Sequence, residues 1–304
     1  MTDLILHHFD LSPFAEKARV MFGIKGLEWS SVQIPMILPK PDLMPLTGGY
    51  RKTPVLQIGA DVYCDTRRIA LELERRFPEP TLFPAGGGLE LALSGWSDRS
   101  FFEPGAGLSM GVNEELPKDL VDDRKAFFNF MDFSRLSDEL PHLYGQFLCH
   151  AALVDRQLAD GRQFVMADRP GLADVHAYFP LWMARTFVPP INALLERFPT
   201  LARWEARMAA IGHGRRQEID AETALAIARA ATPEAVEQVD ESDPLGLAAG
   251  ARVAVTPDDY GKVPVEGQLV ALSLDEIAVR RDDPRVGEIV VHFPRIGYRV
   301  EALA

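Results

Sequence analysis

The chain has 304 residues, enough for two or three domains of ordinary size, and its 47% hydrophobic and 25% charged residues are those of a chain that buries a core. A net charge of -12 opposes binding to nucleic acid or to anionic membrane through overall charge. Cys64 and Cys149 form neither a disulfide framework nor a Cys-x-x-Cys pair, which suits a reducing compartment. No run reaches the ~20 apolar residues that span a bilayer, and the opening Met-Thr-Asp-Leu-Ile-Leu-His-His lacks the pattern of a signal peptide. The expectation is a cytoplasmic protein with no membrane or nucleic-acid partner.

In chain order, residues 4–8 predict a short buried strand. Ser12 and Pro13 then suit the N-cap and first position of a helix running to about Lys25, with Gly23 and Gly26 at its end. Residues 28–34 alternate as a second strand, and a proline-rich loop follows. Residues 54–58, the turn Gly59-Ala60 and residues 61–63 read as a hairpin, followed by a helix over 66–76. The order β-α-β, linker, β-β-α predicts an α/β layer, parallel in its first half and antiparallel in its second. From about 88 to 212 the apolar spacing is helical, with segments at 124–133, 143–159, 172–187 and 191–210. Residues 220–231 predict a short helix, Thr232-Pro233 the start of another, and 239–244 an acidic linker. Segments 251–256, 265–274, 276–281 and 288–301 alternate at period two, as in a small β-barrel-like module. The division expected is 1–83, 88–212, a helical and acidic linker over 213–243, and 244–304.

Three clusters carry chemistry. Ser12 stands where a helix N-terminus offers unpaired N–H groups, and its hydroxyl could donate to a thiolate; taken alone, it could equally be a simple cap. Thr53-Pro54 precedes a buried-looking strand, where proline is admitted because it need not donate to the ladder. A cis bond there would turn the Thr53 backbone outward; a trans bond is the ordinary case. Asp65-Thr66 opens a helix. Its hydroxyl and N–H groups could hold a carboxylate and its acid an ammonium, or both could serve as caps.

Order and spacing join these clusters. Ser12-Pro-Phe-Ala-Glu-Lys-Ala-Arg19, Lys52-Thr-Pro-Val-Leu56 and Asp65-Thr-x-x-Ile69-Ala70 together resemble the N-terminal domain of the glutathione transferase family. Pro170-Gly-Leu-Ala-Asp174 and Phe198-Pro199 with Trp204 are similar to that family's helical domain. The resemblance covers about residues 4–212. It implies a thioredoxin-like domain, an all-α domain, a homodimer, glutathione as co-substrate and a small electrophile as second substrate, in the manner of a detoxifying transferase. It further implies that Ser12 donates to the glutathione sulfur as the catalytic residue, and that Lys52, Thr53, Pro54, Asp65 and Thr66 form the binding site. Thr53 would pair through its backbone with the cysteinyl part, Thr66 would bind the γ-glutamyl carboxylate, and Asp65 would sit by the ammonium. Lys40 is a further candidate for the glycyl carboxylate, against a solvated loop lysine. The absence of cysteine at position 12 argues against thiol-exchanging members. Alternatives are a non-catalytic binding protein on the same fold, and a glutathione-dependent isomerase or dehalogenase.

Other residues read more plainly. His7 and His8 are adjacent on a strand and point to opposite faces, and His142, His150 and His176 lack companions at ligand spacing, so no metal site is expected. Phe101, Phe102, Met110, Phe127, Phe128 and Phe130 could line an acceptor pocket or simply pack a core. Between 250 and 304, seven basic residues face nine acidic ones, which gives the β module no nucleic-acid footprint.

Overall fold

The structure is a computed structural model and describes residues 4–113, 115–235 and 237–303. In chain order the first elements are β1 (Ile5–His8), α1 (Pro13–Lys25), β2 (Glu28–Gln33), α2 (Met44–Thr47), β3 (Val55–Ile58), β4 (Asp61–Cys64) and α3 (Thr66–Arg76). A helical stretch follows: α4 (Gly88–Gly95), a π-helical turn over Trp96–Phe101, α5 (Phe102–Gly111), α6 (Lys118–Phe127), α7 (Leu136–Gln157), α8 (Leu172–Phe187), α9 (Ile191–Leu195) and α10 (Pro199–Ile211). The last elements are β5 (Arg215–Glu218), α11 (Ala221–Ala230), β6 (Gln238–Val239), β7 (Arg252–Pro257), β8 (Val265–Leu272), β9 (Glu276–Asp283), β10 (Gly287–Pro294) and β11 (Tyr298–Ala302).

The chain divides into two compact units. One comprises Met1–Ala15, Glu28–Glu72 and Arg215–Ala304; the other comprises Glu16–Leu27 and Leu73–Gly214.

The first unit is built on one continuous sheet in the order β11-β7-β8-β9-β10-β4-β3-β1-β2-β5, with β6 alongside β8. Strand β1 pairs parallel with β2 and antiparallel with β3. The parallel pair needs a crossover, which α1 supplies. Strands β3 and β4 form the antiparallel hairpin read from the sequence, and Gly59 takes the left-handed φ of +59° that its turn requires. The thioredoxin-like layer is thus as expected.

Two features of this sheet differ from the sequence reading. The added strands form an open sheet rather than a barrel. Strand β10 has β9 on one side and β4 on the other, in parallel register Val290↔Asp61, Val291↔Val62, His292↔Tyr63. Both edges of β10 are therefore taken, and β11 ends the sheet with β7 as its neighbour. Strand β5 pairs with β2 within a segment read as a linker. Its residues, Arg-Arg-Gln-Glu, are all exposed, so it lacks the apolar alternation that reveals a strand and has the charges expected of a solvated edge.

The alternation of β10 explains how it holds the layers together. Ile289, Val291 and Phe293 enter the main core with Val55, Val62, Leu269 and Ile277. Val290, on the opposite face, packs with Val270, Ala271 and Ala278. On this second face, His292 stacks on Tyr63 with ring centroids 4.4 Å apart. Its ring nitrogens meet Asp61 Oδ1 at 2.9 Å and Glu276 Oε1 at 2.6 Å. Asp61 also accepts the Glu234 N–H at 2.7 Å, and Arg68 Nε lies 3.6 Å from Glu276. Burial alone would lower the His292 pKa, but its hydrogen bonds to the two carboxylates and their charges raise it above the usual value.

The second unit is all-helical, with Phe101, Phe147, Phe179 and Trp204 fully buried. Asp174 reaches back to the N-cap Gly171 at the start of α8, accepting the Gly171 N–H at 3.1 Å and also the Val165 N–H and the Trp204 indole at 2.8 and 2.9 Å. The helix expected at 124–133 runs earlier, as α6, and Phe128 is already extended. The helix expected at 191–210 is broken into α9 and α10 because Pro199 disfavours helical backbone at Phe198 (φ -114°, ψ 76°). No helix starts at Thr232-Pro233; the described residues there are irregular. No described helix is long and apolar enough to cross a membrane.

Candidate active site

Strand direction brings the three sequence clusters together. Across the first unit the register runs His7↔Val55 and Val55↔Cys64. The C-terminal ends of β1 and β4 and the N-terminal end of β3 therefore lie at one end of the sheet. Ser12 follows β1, Thr53-Pro54 precedes β3, and Asp65-Thr66 follows β4. The carboxyl ends of parallel strands are the usual place for ligands in open α/β sheets.

Ser12 is buried, and its Oγ accepts the Ala15 N–H at 3.2 Å. The cap reading is thus realised. It uses only the acceptor side of the hydroxyl, so among the described residues the Ser12 proton is not committed to a hydrogen bond. The Thr53-Pro54 peptide is cis, and Thr53 lies just outside the β3 ladder. Asp65 has a left-handed φ of +76°, a conformation that aspartate tolerates because its side chain can bond locally. Its Oδ1 accepts the Arg67 N–H at 2.9 Å in the first turn of α3. Thr66 begins α3 and is buried, and no hydrogen bond engages its hydroxyl among the described residues. Other site-end groups fall into place around these. Lys40 is buried rather than a solvated loop residue. Its Nζ donates to the Arg51 carbonyl and to Thr53 Oγ1, each at 3.1 Å. The Cys64 thiol is buried and pushed well above its usual pKa by burial and by the charge of Asp65, which keeps it protonated and unreactive.

Sequence reasoning missed the residues that the added strands contribute. Strand β10 runs parallel to β4, so the chain leaves it at the same end of the sheet and returns as β11. There the Tyr298 hydroxyl lies 3.2 Å from Asp65 Oδ2 and 3.2 Å from the Tyr50 hydroxyl. Burial, with the charge of Asp65 adding to it, raises the Tyr50 phenol well above its usual pKa; Tyr298 shifts the same way, mainly from burial. Both therefore remain donors. Lys52 forms an ion pair with Asp259, from the β7–β8 connection, and its Nζ lies 4.4 Å from the centroid of the Tyr260 ring. Tyr298 is 233 positions from Asp65, and in the sequence it reads as one more apolar residue of an alternating strand.

The histidines of β1 have separate partners. His7 meets Gln57 Oε1 at 2.8 Å, and His8 meets Ser31 Oγ at 2.9 Å. Burial lowers the His7 pKa to about 4, which keeps it neutral. Among the described residues, no group of three His, Cys, Asp or Glu could hold a metal ion.

Comparison with known proteins decides the family. The profile described as glutathione S-transferase, N-terminal domain matches residues 6–81, and that of the C-terminal domain matches residues 149–211. A crystal structure of a GST-like protein from Pseudomonas syringae is 37% identical, with a TM-score of 0.80, and the match covers 98% of this chain and 100% of that one. The chain belongs to the glutathione S-transferase family. Because the match spans nearly the whole chain, the added strands are part of a shared architecture rather than an isolated appendage. More distant solved structures share the fold. A family member from Pseudomonas fluorescens pf-5 with two glutathione bound is 13% identical (TM-score 0.52, covering 69% of this chain and 89% of that one). Beta-etherase LigF from Sphingobium sp. strain SYK-6 is 17% identical (TM-score 0.51, covering 69% and 96%). A comparison with curated proteins gives no match.

Proposed function

We propose that this glutathione S-transferase family member binds glutathione at the Ser12, Thr53 and Thr66 end of the sheet and uses it as a co-substrate against a small electrophile. The observation that carries this reading is the pair of hydroxyls, Ser12 and Thr66, each at the N-terminal turn of a helix and each with hydrogen-bonding capacity unused among the described residues. When bound, glutathione supplies the nucleophilic sulfur, so no covalent intermediate on the protein is needed.

Each residue has a definite task. Ser12 donates its free proton toward sulfur while its oxygen stays fixed by the Ala15 N–H. The N-terminal dipole of α1 adds positive potential at the same place. Together they favour the thiolate: lowering a thiol from ~8.5 by about two pKa units raises its ionised fraction at neutral pH roughly 25-fold. Thr66 and the first N–H groups of α3 receive a carboxylate, and Asp65 receives an ammonium, which matches the zwitterionic head of a γ-glutamyl peptide. Thr53 offers its main chain to the middle of the peptide, with Pro54 setting the start of β3. Lys52 stands beside Thr53, next to the remaining end of the peptide. We infer further that the protein acts in detoxification as a cytoplasmic homodimer, for which light scattering is the direct check of assembly.

Calorimetry tests the binding step. Wild-type protein should bind glutathione, and Thr66→Val, which removes one charge-assisted hydrogen bond, should bind about tenfold more weakly. Absence of heat with the wild type would sink the proposal. It would favour instead a non-catalytic protein on this fold, a reading supported by the engagement of Lys52 and Asp65 within the chain itself.

A further inference from the structure

Two lysines stand against Thr53, Lys40 by contact and Lys52 by sequence. Lys40 is buried, with its ammonium committed to the Arg51 carbonyl and the Thr53 hydroxyl. Lys52 is the remaining lysine, and an aspartate 207 positions later meets it. That aspartate does not reach Lys52 from a loose tail. It lies between β7 and β8, where the Asp258 N–H donates to the Gly297 carbonyl at 3.0 Å and the Val263 N–H to the Gly261 carbonyl at 2.8 Å. The neighbouring Tyr260 is buried, with its ring under the Lys52 ammonium. The same connection rests against the loop before Tyr50, since a Cβ on Gly49 would lie 3.4 Å from Val263 Cγ1. Backbone hydrogen bonds, ring packing and the ion pair together hold a carboxylate on Lys52.

We propose that Asp259 is a specificity-determining residue. By neutralising Lys52 from within the chain, it makes the crevice accept γ-glutamyl-cysteinyl thiols whose far end is uncharged, such as esters or amides at the glycyl carboxylate, as readily as glutathione itself. The inference rests on the reading that this end of the sheet binds a γ-glutamyl thiol. Its physics is competition between two carboxylates for one ammonium. A free peptide carboxylate must either displace Asp259 or lie beside a pair with no net charge, and it gains little in either case. An uncharged end forfeits nothing. Discrimination is a difference between two affinities, and the chain's own carboxylate removes the attractive half of that difference. The added strands thereby acquire a role at the site: they carry the group that sets which peptide end is tolerated.

The test is calorimetry on the full chain with two probes, glutathione and its glycyl monoethyl ester. Wild type should bind the two within about threefold of each other. Asp259→Asn, nearly isosteric, releases Lys52 and should tighten glutathione about tenfold while moving the ester less than about twofold. Asp259→Glu keeps the carboxylate and should return the wild-type ratio. A wild type that prefers glutathione more than about tenfold overturns the proposal without recourse to any variant. An Asn variant with an unchanged ratio removes Asp259 from specificity while leaving the glutathione site in place. If neither probe binds any of the three proteins, the site reading falls, and this inference falls with it.

Discussion

Replacing His292 by phenylalanine should uncouple the added strands from the thioredoxin-like layer. The perturbation keeps a ring against Tyr63 but removes both nitrogens that lie between Asp61 and Glu276. Removing one partner of a buried charged cluster destabilises by about 3–5 kcal/mol, because the charges left behind are uncompensated. Here the lower end applies. Glu276 is a quarter exposed and retains Arg68 at 3.6 Å, so Asp61, 1% exposed, bears most of the penalty. About 3 kcal/mol in a chain of this size corresponds to a fall in Tm of roughly 5 °C. The pH dependence gives a second readout. The folded-state pKa of His292 is raised, so its contribution is complete below ~6.5 and is lost as pH rises through the folded value. The Glu276 pKa is lowered by its partners despite burial, so its contribution is lost on the acid side, as pH falls through the folded value. Calorimetric melts of the wild type should therefore decline as pH rises above about 6.5, and the variant should lack that alkaline decline. A Tm change under about 2 °C, or a wild type that gains stability over that range, would refute the argument that a charged histidine holds β10 to β4.

Other expectations follow from particular contacts. Tyr298→Phe removes the hydroxyl from Asp65 while keeping the ring that packs 5.3 Å from Phe293; glutathione affinity should fall about fivefold with no change in that of a des-amino analogue, which lacks the ammonium. Gly23→Ala would place a Cβ 2.1 Å from the Gly212 carbonyl oxygen, so urea denaturation should show a loss of about 2–3 kcal/mol; a loss below ~0.5 kcal/mol would mean that the two segments part easily. Asp174 is raised by burial to about 6, so its ionisation disfavours the folded state by about 3 kcal/mol as pH rises from ~4 through ~6. Asp174→Asn should abolish that slope in urea midpoints measured across the range; the same slope in the variant would assign it to another group.

Much of the fold was legible because local signals agreed with the global arrangement. Ser12-Pro13 announced a helix start and proved to be one, the Val55–Ile58 and Asp61–Cys64 hairpin carried its own turn at Gly59, and the alternation after residue 250 marked real strands. What escaped lacked a local cause. Strand β5 is polar throughout because water covers it, so periodicity had nothing to register. The pairing of β10 with β4 joins residues about 230 positions apart through backbone groups that every residue carries. It turned an expected barrel into an extension of the first sheet. The candidate site divided in the same way. Ser12, Thr53 and Thr66 could be placed from their spacing, because each sits at the end of an element the sequence announces. Asp259 and Tyr298 could not, because it is the extended sheet that carries them to Lys52 and Asp65.

In the proposed reaction the Ser12 hydroxyl holds the glutathione sulfur as a thiolate. Titrating the ultraviolet thiolate absorbance of the bound tripeptide against pH, in the wild type and in Ser12→Ala, tests it most directly. The bound thiol should ionise well below ~8.5 in the wild type and return toward that value in the variant. A bound thiol that titrates at its free value in the wild type, or identically in both proteins, would contradict it.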